Sequence, residues 1–491
     1  MSHAADIAPA TLRSFDKLYI GGSWTEPSSD AVIEIVSPIT EEVIATTPAA
    51  QPGDIDRAVA AARKAFDHGP WPRMSPQERA TYLVRIREEI AQRVPELVDA
   101  FTAEIGAAPG AAVAFTNNAL KMFDDASTLA DRFAWTEARS WEGGSGYIVR
   151  EPIGVVGVII PWNGPVATAA LKIAPALAAG CTVILKPAPE CAVEILMLAE
   201  AIEAAGLPEG VVSILPAQRE ESEHLVTHPA VDKITFTGST AVGRRLMALC
   251  AERIARVTLE LGGKSAGIIA DDIPLEDFLV GLAFAGIGHS GQVCAAITRI
   301  LVPRERQEEV VQALKTVYES VKVGDPREPD TILGPLVSAR QRERVLEYVE
   351  IGKAEGARLV TGGAAPADLP TGFYVQPTLF ADVTPDMRIA QEEIFGPVVT
   401  VIPFDSIDEA VEIANGTIYG LSGAVYARDT ALAEDIARRV RTGQMSINAW
   451  DMCVTEPFGG FKQSGLGREG NVEGLSGFVE SKLIQGASLP A

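Results

Sequence analysis

The chain has 491 residues, of which 47% are hydrophobic and 22% charged. That is the balance of a soluble globular enzyme with large cores, and the length predicts two or three domains. With 42 basic residues against 65 acidic ones, the net charge is −23, which repels phosphate backbones and anionic lipid and argues against nucleic-acid and membrane partners.

The first residues, Met1 to Ala10, show neither a basic n-region nor an apolar h-region, so no leader is expected. A short strand pair is predicted around Lys17 to Trp24 and Val32 to Ser37. A helix follows from Asp54, with Ile55, Val59, Ala62 and Phe66 on one face. Ser75-Pro76-Gln77-Glu78 is a capping box with proline at N1 and opens a helix running toward Arg93. Segment 141–150 is Gly-rich and shaped like a hairpin. From Ile153 the pattern changes. Short apolar runs at 153–160, 181–185, 211–215 and 233–236 alternate with helical stretches at 167–179, 193–205, 220–227 and 242–252. Such alternation predicts βαβ units and a parallel sheet covered on both faces. The apolar stretch from Ile153 is broken by Pro161, Lys172 and Pro175, so no transmembrane helix fits it. After Cys294 a second α/β domain is predicted, with strands at 299–302 and near 398–404 and helices at 305–321, 339–355 and 407–415. A strand-like tail covers 477–485.

Two segments carry the chemistry. Thr258-Leu259-Glu260-Leu261-Gly262-Gly263-Lys264-Ser265 places a carboxylate on a strand that runs into a glycine pair. Gly291-Gln292-Val293-Cys294 places a thiol after a glycine turn, 34 positions beyond Glu260. A thiol nucleophile and a carboxylate base are what catalysis through a thioester requires. A lone cysteine in a large protein is usually a small buried apolar residue, which is the reading for Cys181, Cys191, Cys250 and Cys453. Five cysteines without paired spacing suit a reducing, cytoplasmic setting. The plain alternative for Glu260 is a strand-end salt bridge, against which Gly262 and Gly263 leave room for a ligand.

The Gly-x-Gly-x-x-Gly fingerprint is absent. Instead Phe236-Thr237-Gly238-Ser239-Thr240-Ala241-Val242-Gly243 follows a predicted strand and opens a helix. Two readings stand: Ser239 and the first helical amides face a phosphate, or Ser239 simply caps the helix. Ile160-Pro161-Trp162-Asn163 and Leu185-Lys186-Pro187-Ala188-Pro189-Glu190 also follow predicted strands, at the carboxyl edge where α/β sheets bind ligands. His224 and His228 stand four apart, but Pro229 ends their helix and no third ligand is in sight, so no metal site is predicted.

With Gln391-Glu392-Glu393-Ile394-Phe395-Gly396-Pro397 and the glycine-rich stretch 457–468, these motifs resemble the signatures of the aldehyde dehydrogenase superfamily, in its NAD(P)-dependent, non-acylating form. The resemblance runs from about Tyr19 to Lys482. It implies an α/β fold with a Rossmann-like cofactor domain (1–132 and 153–263), an α/β catalytic domain (264–470) and a small β arm and tail (133–152 and 471–491) that join subunits into a homodimer or homotetramer. By the same resemblance Cys294 is the nucleophile, Glu260 the base, and the Cys294 amide with the Asn163 side chain the oxyanion donors. Lys172 and Glu469 match positions proposed to relay protons, although each reads equally as a solvated or helix-capping charge. Lys186 is expected on the adenosine ribose, Glu393 on the nicotinamide ribose and Phe395 beside the ring. Ile160, Pro161, Trp162, Gly238, Ser239, Gly243, Leu261 and Gly262 complete the expected cofactor contacts. Many NAD-preferring relatives carry glutamate three positions after the lysine. Here that position is Pro189, with Glu190 next, and an acidic group there favours NAD, with NADP as the alternative.

Where many relatives place bulky aromatics, this chain has Gly164, Ala167, Thr168 and Leu171. A wider tunnel is therefore expected, walled by Val293, Trp450, Met452, Cys453 and Phe458, with no arginine flanking Cys294. The expected reaction converts a medium-sized apolar aldehyde, aromatic or terpenoid-like, to its acid through a cysteine thiohemiacetal and thioester. The alternatives are a CoA-acylating relative, which commonly lacks the glutamate base, and a binding protein on the same fold, which is expected to lose Cys294 or Glu260.

Overall fold

The computed structural model describes residues 12–486. Met1 to Ala10, where no leader is expected, and the last residues of the 471–491 tail lie outside them.

Two large sheets organise the α/β chain. In the first, five parallel strands run in the order Arg256–Glu260, Lys233–Thr237, Val155–Ile159, Thr182–Lys186, Val212–Ile214. Antiparallel strands flank them: Gly465–Leu466 beyond Glu260, and Leu18–Ile20 with Ser23–Thr25 at the other edge. Val155–Ile159 and Thr182–Lys186 are buried at every position, as a sheet covered on both faces requires. Alternation assigns their faces. Val156 and Val158 join the core under helices Pro76–Ile105, Pro109–Arg132, Pro165–Ala179 and Ala192–Ala204, whereas Val155 and Ile159 join the core under Pro52–His68 and Thr240–Ala251.

The second sheet has seven strands, all parallel except the edge pair Arg358–Thr361 and Thr378–Ala381. Its centre is Val398–Phe404, Ile297–Pro303, Ser265–Ile269 and Gly423–Tyr426, again with apolar cores on both faces. A third, antiparallel sheet joins Thr136–Trp141, Gly144–Pro152 and Val479–Gln485. The hairpin expected at 141–150 thus begins at Thr136 and turns at Gly143, whose φ of 85° suits glycine. No helix among the described residues is long and apolar enough to cross a membrane.

Helices Leu279–Ile287 and Thr430–Arg439 lie outside the expected elements, and two departures bear on the site. The helix opened by Ser75, whose Oγ accepts from the Glu78 amide, does not stop at Arg93. It continues through Pro95 to Ile105 because Leu97, Ala100 and Phe101 keep its apolar face buried, and it ends at Gly106 in the left-handed conformation, φ 78°. Helix Pro109–Arg132 was not predicted at all, and it supplies one wall of the site.

Candidate functional site

Strand register assembles the site. Thr237 pairs with Glu260, Phe236 with Ile159, and Ile159 with Lys186, so the carboxyl ends of four strands lie along one edge of the first sheet. A cavity of about 1060 Å³ opens there, between that edge and the segment carrying Cys294. Of the residues singled out in the sequence, it brings together Pro161, Trp162, Asn163, Leu171, Gly238, Ser239, Glu260, Leu261, Gly262, Val293, Cys294, Glu393, Phe395, Phe458 and Glu469.

The two glycines after Glu260 are required by contact. A Cβ at Gly262 would lie 2.4 Å from Glu393 Oε2, and one at Gly263 would lie 2.3 Å from the Cys294 carbonyl oxygen. The Gly263 amide donates to Glu393 Oε1 at 3.0 Å. Ser464 fastens the same loop, its backbone oxygen accepting from Leu261 N at 2.8 Å and its hydroxyl donating to Gly262 O at 2.6 Å. Cys294 is partly exposed to the cavity. Burial, with Glu393 and Glu260 nearby, pushes its thiol up to about 12. Asn163 Nδ2 donates to the Gln292 carbonyl at 2.9 Å, which ties the loop after strand Val155–Ile159 to the segment carrying Cys294.

Glu260 is 2% exposed, and neither of its carboxylate oxygens has a hydrogen-bond partner in regular geometry. Burial and then Glu469 hold its carboxyl well above the ordinary range; Lys172, Arg468 and the Gly460 amide act the other way more weakly. Behind it, fully buried Lys172 donates to Glu469 and, at 3.1 Å, to Thr235 Oγ1. Thr235 in turn donates to Glu469 at 3.2 Å. Lys172 and Glu469 are thus a buried ion pair, not the solvated charges of their plain reading. Buried polar atoms without partners are rare in folded chains. Three of them lie at this site, both oxygens of Glu260 and Glu469 Oε2, and Lys264 Nζ, just past the glycine pair, is another. Burial and Arg299 bring Lys264 down to about 7.

At the other end of the cavity, helix Thr240–Ala251 points its N-terminus inward, and Ser239 Oγ accepts from the Val242 amide at 3.4 Å. Ser239 therefore caps the helix and also lines the cavity. Gly238 has no room for a side chain, since a Cβ would meet Phe236 at 2.4 Å. Glu393 is pushed up to about 7 by burial, and Phe395, at φ 62°, meets Trp162 edge to face at 5.5 Å.

Eight expected residues do not line the cavity, among them Lys172, buried behind Glu260, and Cys453, which is exposed. Ile160 and Lys186 are buried at the sheet edge, and burial brings Lys186 down to about 8 with Glu190 nearby. Gly243 packs the helix against Leu261, which a Cβ there would strike at 2.5 Å. Trp450 sits in a small apolar cluster with Leu421, Phe458 and Val293. Gly164 is not a wall either: a Cβ on it would lie 2.8 Å from Phe115 Cδ1, so the room it leaves is filled by that ring. Phe115, Asn118 and Met122, on the unpredicted helix, line the cavity instead, and Arg340, Glu343, Arg344 and Glu347 form a charged mouth. The i, i+3, i+7 spacing of the first three, behind a proline at N1, was the available signal. Elsewhere, His224 and His228 share Asp56 at 2.6 and 3.6 Å, and among the described residues no group of three His, Cys, Asp or Glu side chains is arranged for a metal ion.

Comparison with known proteins agrees with this geometry. Residues 24–484 match the model of the aldehyde dehydrogenase family. Geranial dehydrogenase of Castellaniella defragrans is 42% identical, over 95% of this chain and 98% of that protein. A Mycobacterium tuberculosis aldehyde dehydrogenase solved with NAD+ superposes with a TM-score of 0.94 at 44% identity, over 96% and 98% of the two chains. A mutant aldehyde dehydrogenase C of Pseudomonas syringae, solved with NAD+ and octanal, gives 0.93 at 40% identity, over 100% and 99%. Matching a family model along nearly its whole length, and relatives at this identity, the chain belongs to the aldehyde dehydrogenase family.

Proposed function

We propose that this aldehyde dehydrogenase uses NAD to oxidise a medium-sized apolar aldehyde, terpenoid-like or aromatic, to its carboxylic acid, with Cys294 as nucleophile and Glu260 as base. One observation carries the reading: Cys294, Asn163 and the unpartnered carboxylate of Glu260 face one cavity, walled by Phe115, Met122, Leu171, Val293, Met452 and Phe458. Geranial, named for one relative, and octanal, bound in the crystal structure of another, are both apolar aldehydes of this size and support it.

The residues fit a dinucleotide. Gly238 leaves a side-chain-free turn before the inward-pointing helix N-terminus, where Ser239 and the first amides would hold phosphate. Glu393 would hold the nicotinamide ribose, Phe395 and Trp162 would flank the ring, and Lys186 with Glu190 would face the adenosine ribose and disfavour a 2′-phosphate. When bound, NAD supplies the acceptor for the aldehyde hydride.

Cys294 Sγ forms a bond to the aldehyde carbon and must lose its proton. With the thiol held near 12, a proton acceptor close by is needed, and Glu260, which faces the same cavity, takes that role in its ionised form. An amide nitrogen carries two hydrogens. One of Asn163 is spent on Gln292, and the other is free for the oxyanion beside the Cys294 amide. Once the thioester stands, Glu260 deprotonates the water that cleaves it. The Lys172–Thr235–Glu469 group behind Glu260 offers a route for the proton outward. A base inside the cavity favours water over CoA as the acyl acceptor.

The first sheet then serves as the cofactor half and the second as the catalytic half. The β arm, with Trp141 and Leu483 exposed, joins copies into a dimer or tetramer in the cytoplasm. The test is NADH formation across geranial, benzaldehyde, octanal and acetaldehyde, wild type beside Cys294→Ala. We expect activity in the wild type alone, greatest on the larger aldehydes. Residual turnover in the variant would remove Cys294 as nucleophile, and a preference for acetaldehyde would remove the substrate class.

A further inference from the structure

No role above uses His289, five residues before the nucleophile. Its ring is buried, 5.5 Å from that of Phe101 and 5.4 Å from that of Phe115. Its Nε2 lies 2.9 Å from the backbone oxygen of Asn163. A carbonyl can only accept, so Nε2 carries the hydrogen. Burial brings the imidazole down to about 4, against the weaker opposing effect of that hydrogen bond, and it stays neutral at working pH.

The backbone here is unusual as well. His289 and Ser290 both adopt left-handed conformations, φ 51° and 55°, which residues with a Cβ take up only when their surroundings hold them there. Ser290 Oγ donates to Gly334 O at 2.7 Å, and Gly291, φ 70°, approaches Gly396 so closely that a Cβ would lie 2.1 Å from its oxygen. The same short turn therefore grips Asn163 at two atoms. His289 holds its backbone oxygen, and Gln292 O holds its side-chain amide at 2.9 Å. Two residues further on is Cys294.

We infer that His289 is a positioning residue, one arm of a two-point clamp that fixes the Asn163 amide relative to Cys294 so that both oxyanion donors meet the same point. The inference rests on the proposed roles of Cys294 and Asn163. It also explains the aromatic cluster. Phe101 and Phe115 hold the imidazole plane, and Phe115 passes any shift of that plane to the substrate wall.

The test compares His289→Phe and His289→Leu, which remove the donor with and without an aromatic ring, with His289→Gln, which keeps an N–H. Each is made in wild type and in Asn163→Ala, and NADH formation is followed with a good aldehyde. Misplacing a reacting group by about 1 Å can cost about 10²-fold, so kcat in both donor-less variants is expected about tenfold to hundredfold low, with the KM for NAD unmoved and His289→Gln recovering most of the loss. Acting through Asn163, His289→Phe should cost little more in the Asn163→Ala background. Wild-type kcat in His289→Phe overturns the inference. So does an undiminished loss in the double variant, or failure of His289→Gln to rescue while the KM for NAD rises, which marks a merely structural role. Full activity in Asn163→Ala alone overturns the oxyanion reading itself, and the clamp with it. If His289→Leu does not fold, His289→Phe and His289→Gln decide.

Discussion

Replacing Gly164 by alanine tests how the substrate tunnel is shaped. Gly164 caps helix Pro165–Ala179 with φ −169°, outside the left-handed region, so any cost is contact and not backbone. The new Cβ would stand 2.8 Å from Phe115 Cδ1 and 2.9 Å from Cε1. Carbon atoms rest at about 3.5–4.0 Å, so the ring must move by about 1 Å. Phe101, with ring centroid 5.9 Å away, and His289, at 5.4 Å, stand beside the ring, which leaves the cavity as the direction of least resistance. Room for one methylene in an apolar pocket is worth about 1–3 kcal/mol, or about 10–200-fold in kcat/KM. Gly164→Ala should therefore lower kcat/KM for geranial at least about tenfold relative to propanal, and adding Phe115→Leu should restore the ratio. The assay is NADH formation on the two aldehydes in wild type, both single variants and the double. Equal losses on both aldehydes, or strictly additive effects in the double variant, would refute the claim that Phe115 is the wall and Gly164 its seat.

Two further outcomes follow from burial. With the Cys294 thiol raised to about 12, its alkylation by iodoacetamide in the cofactor-free protein should rise about tenfold per pH unit from pH 7 to 10, because only the thiolate reacts; a plateau near pH 8 contradicts this. Glu104 accepts the Val193 and Glu194 amides, each at 2.9 Å, at the start of helix Ala192–Ala204. Glu104→Ala strands two buried donors, and a loss of about 2–5 kcal/mol is expected from the urea midpoint. An unchanged midpoint would show that water replaces the carboxylate.

What the sequence revealed follows from what each signal depends on. The strands of the first sheet were legible because burial on both faces leaves unbroken apolar runs, as in Val155–Ile159 and Thr182–Lys186. Helix Pro109–Arg132 escaped because the first half of its buried face is small, Ala112, Thr116 and Ala119, and the larger Met122, Phe123 and Leu129 come only in the second half, so no apolar stripe runs its whole length. That omission hid Phe115 and turned Gly164 into an expected wall when it is the seat of another side chain. The helix expected to run toward Arg93 reaches Ile105 for a related reason: a proline can stand in a helix whose apolar face stays packed beyond it. Motif residues were found by type and order, but the pairing of Lys172 with Glu469, 297 positions apart, is invisible to any local pattern.

That separation sets when the enzyme acquires its chemistry. The strand beside Glu260 comes from Gly465–Leu466, the loop after it is fastened by Ser464, and the carboxylate behind it is Glu469. Both sheets draw nearly all their strands from residues before 448, so a nascent chain can lay down most of either core while Glu260 still lies on an open, hydrated edge. Contacts this distant in sequence form late in folding. The burial that raises the Glu260 carboxyl is completed by the returning segment 464–469, so a chain clipped before it is expected to keep Cys294 and Glu260 while leaving Glu260 open to water.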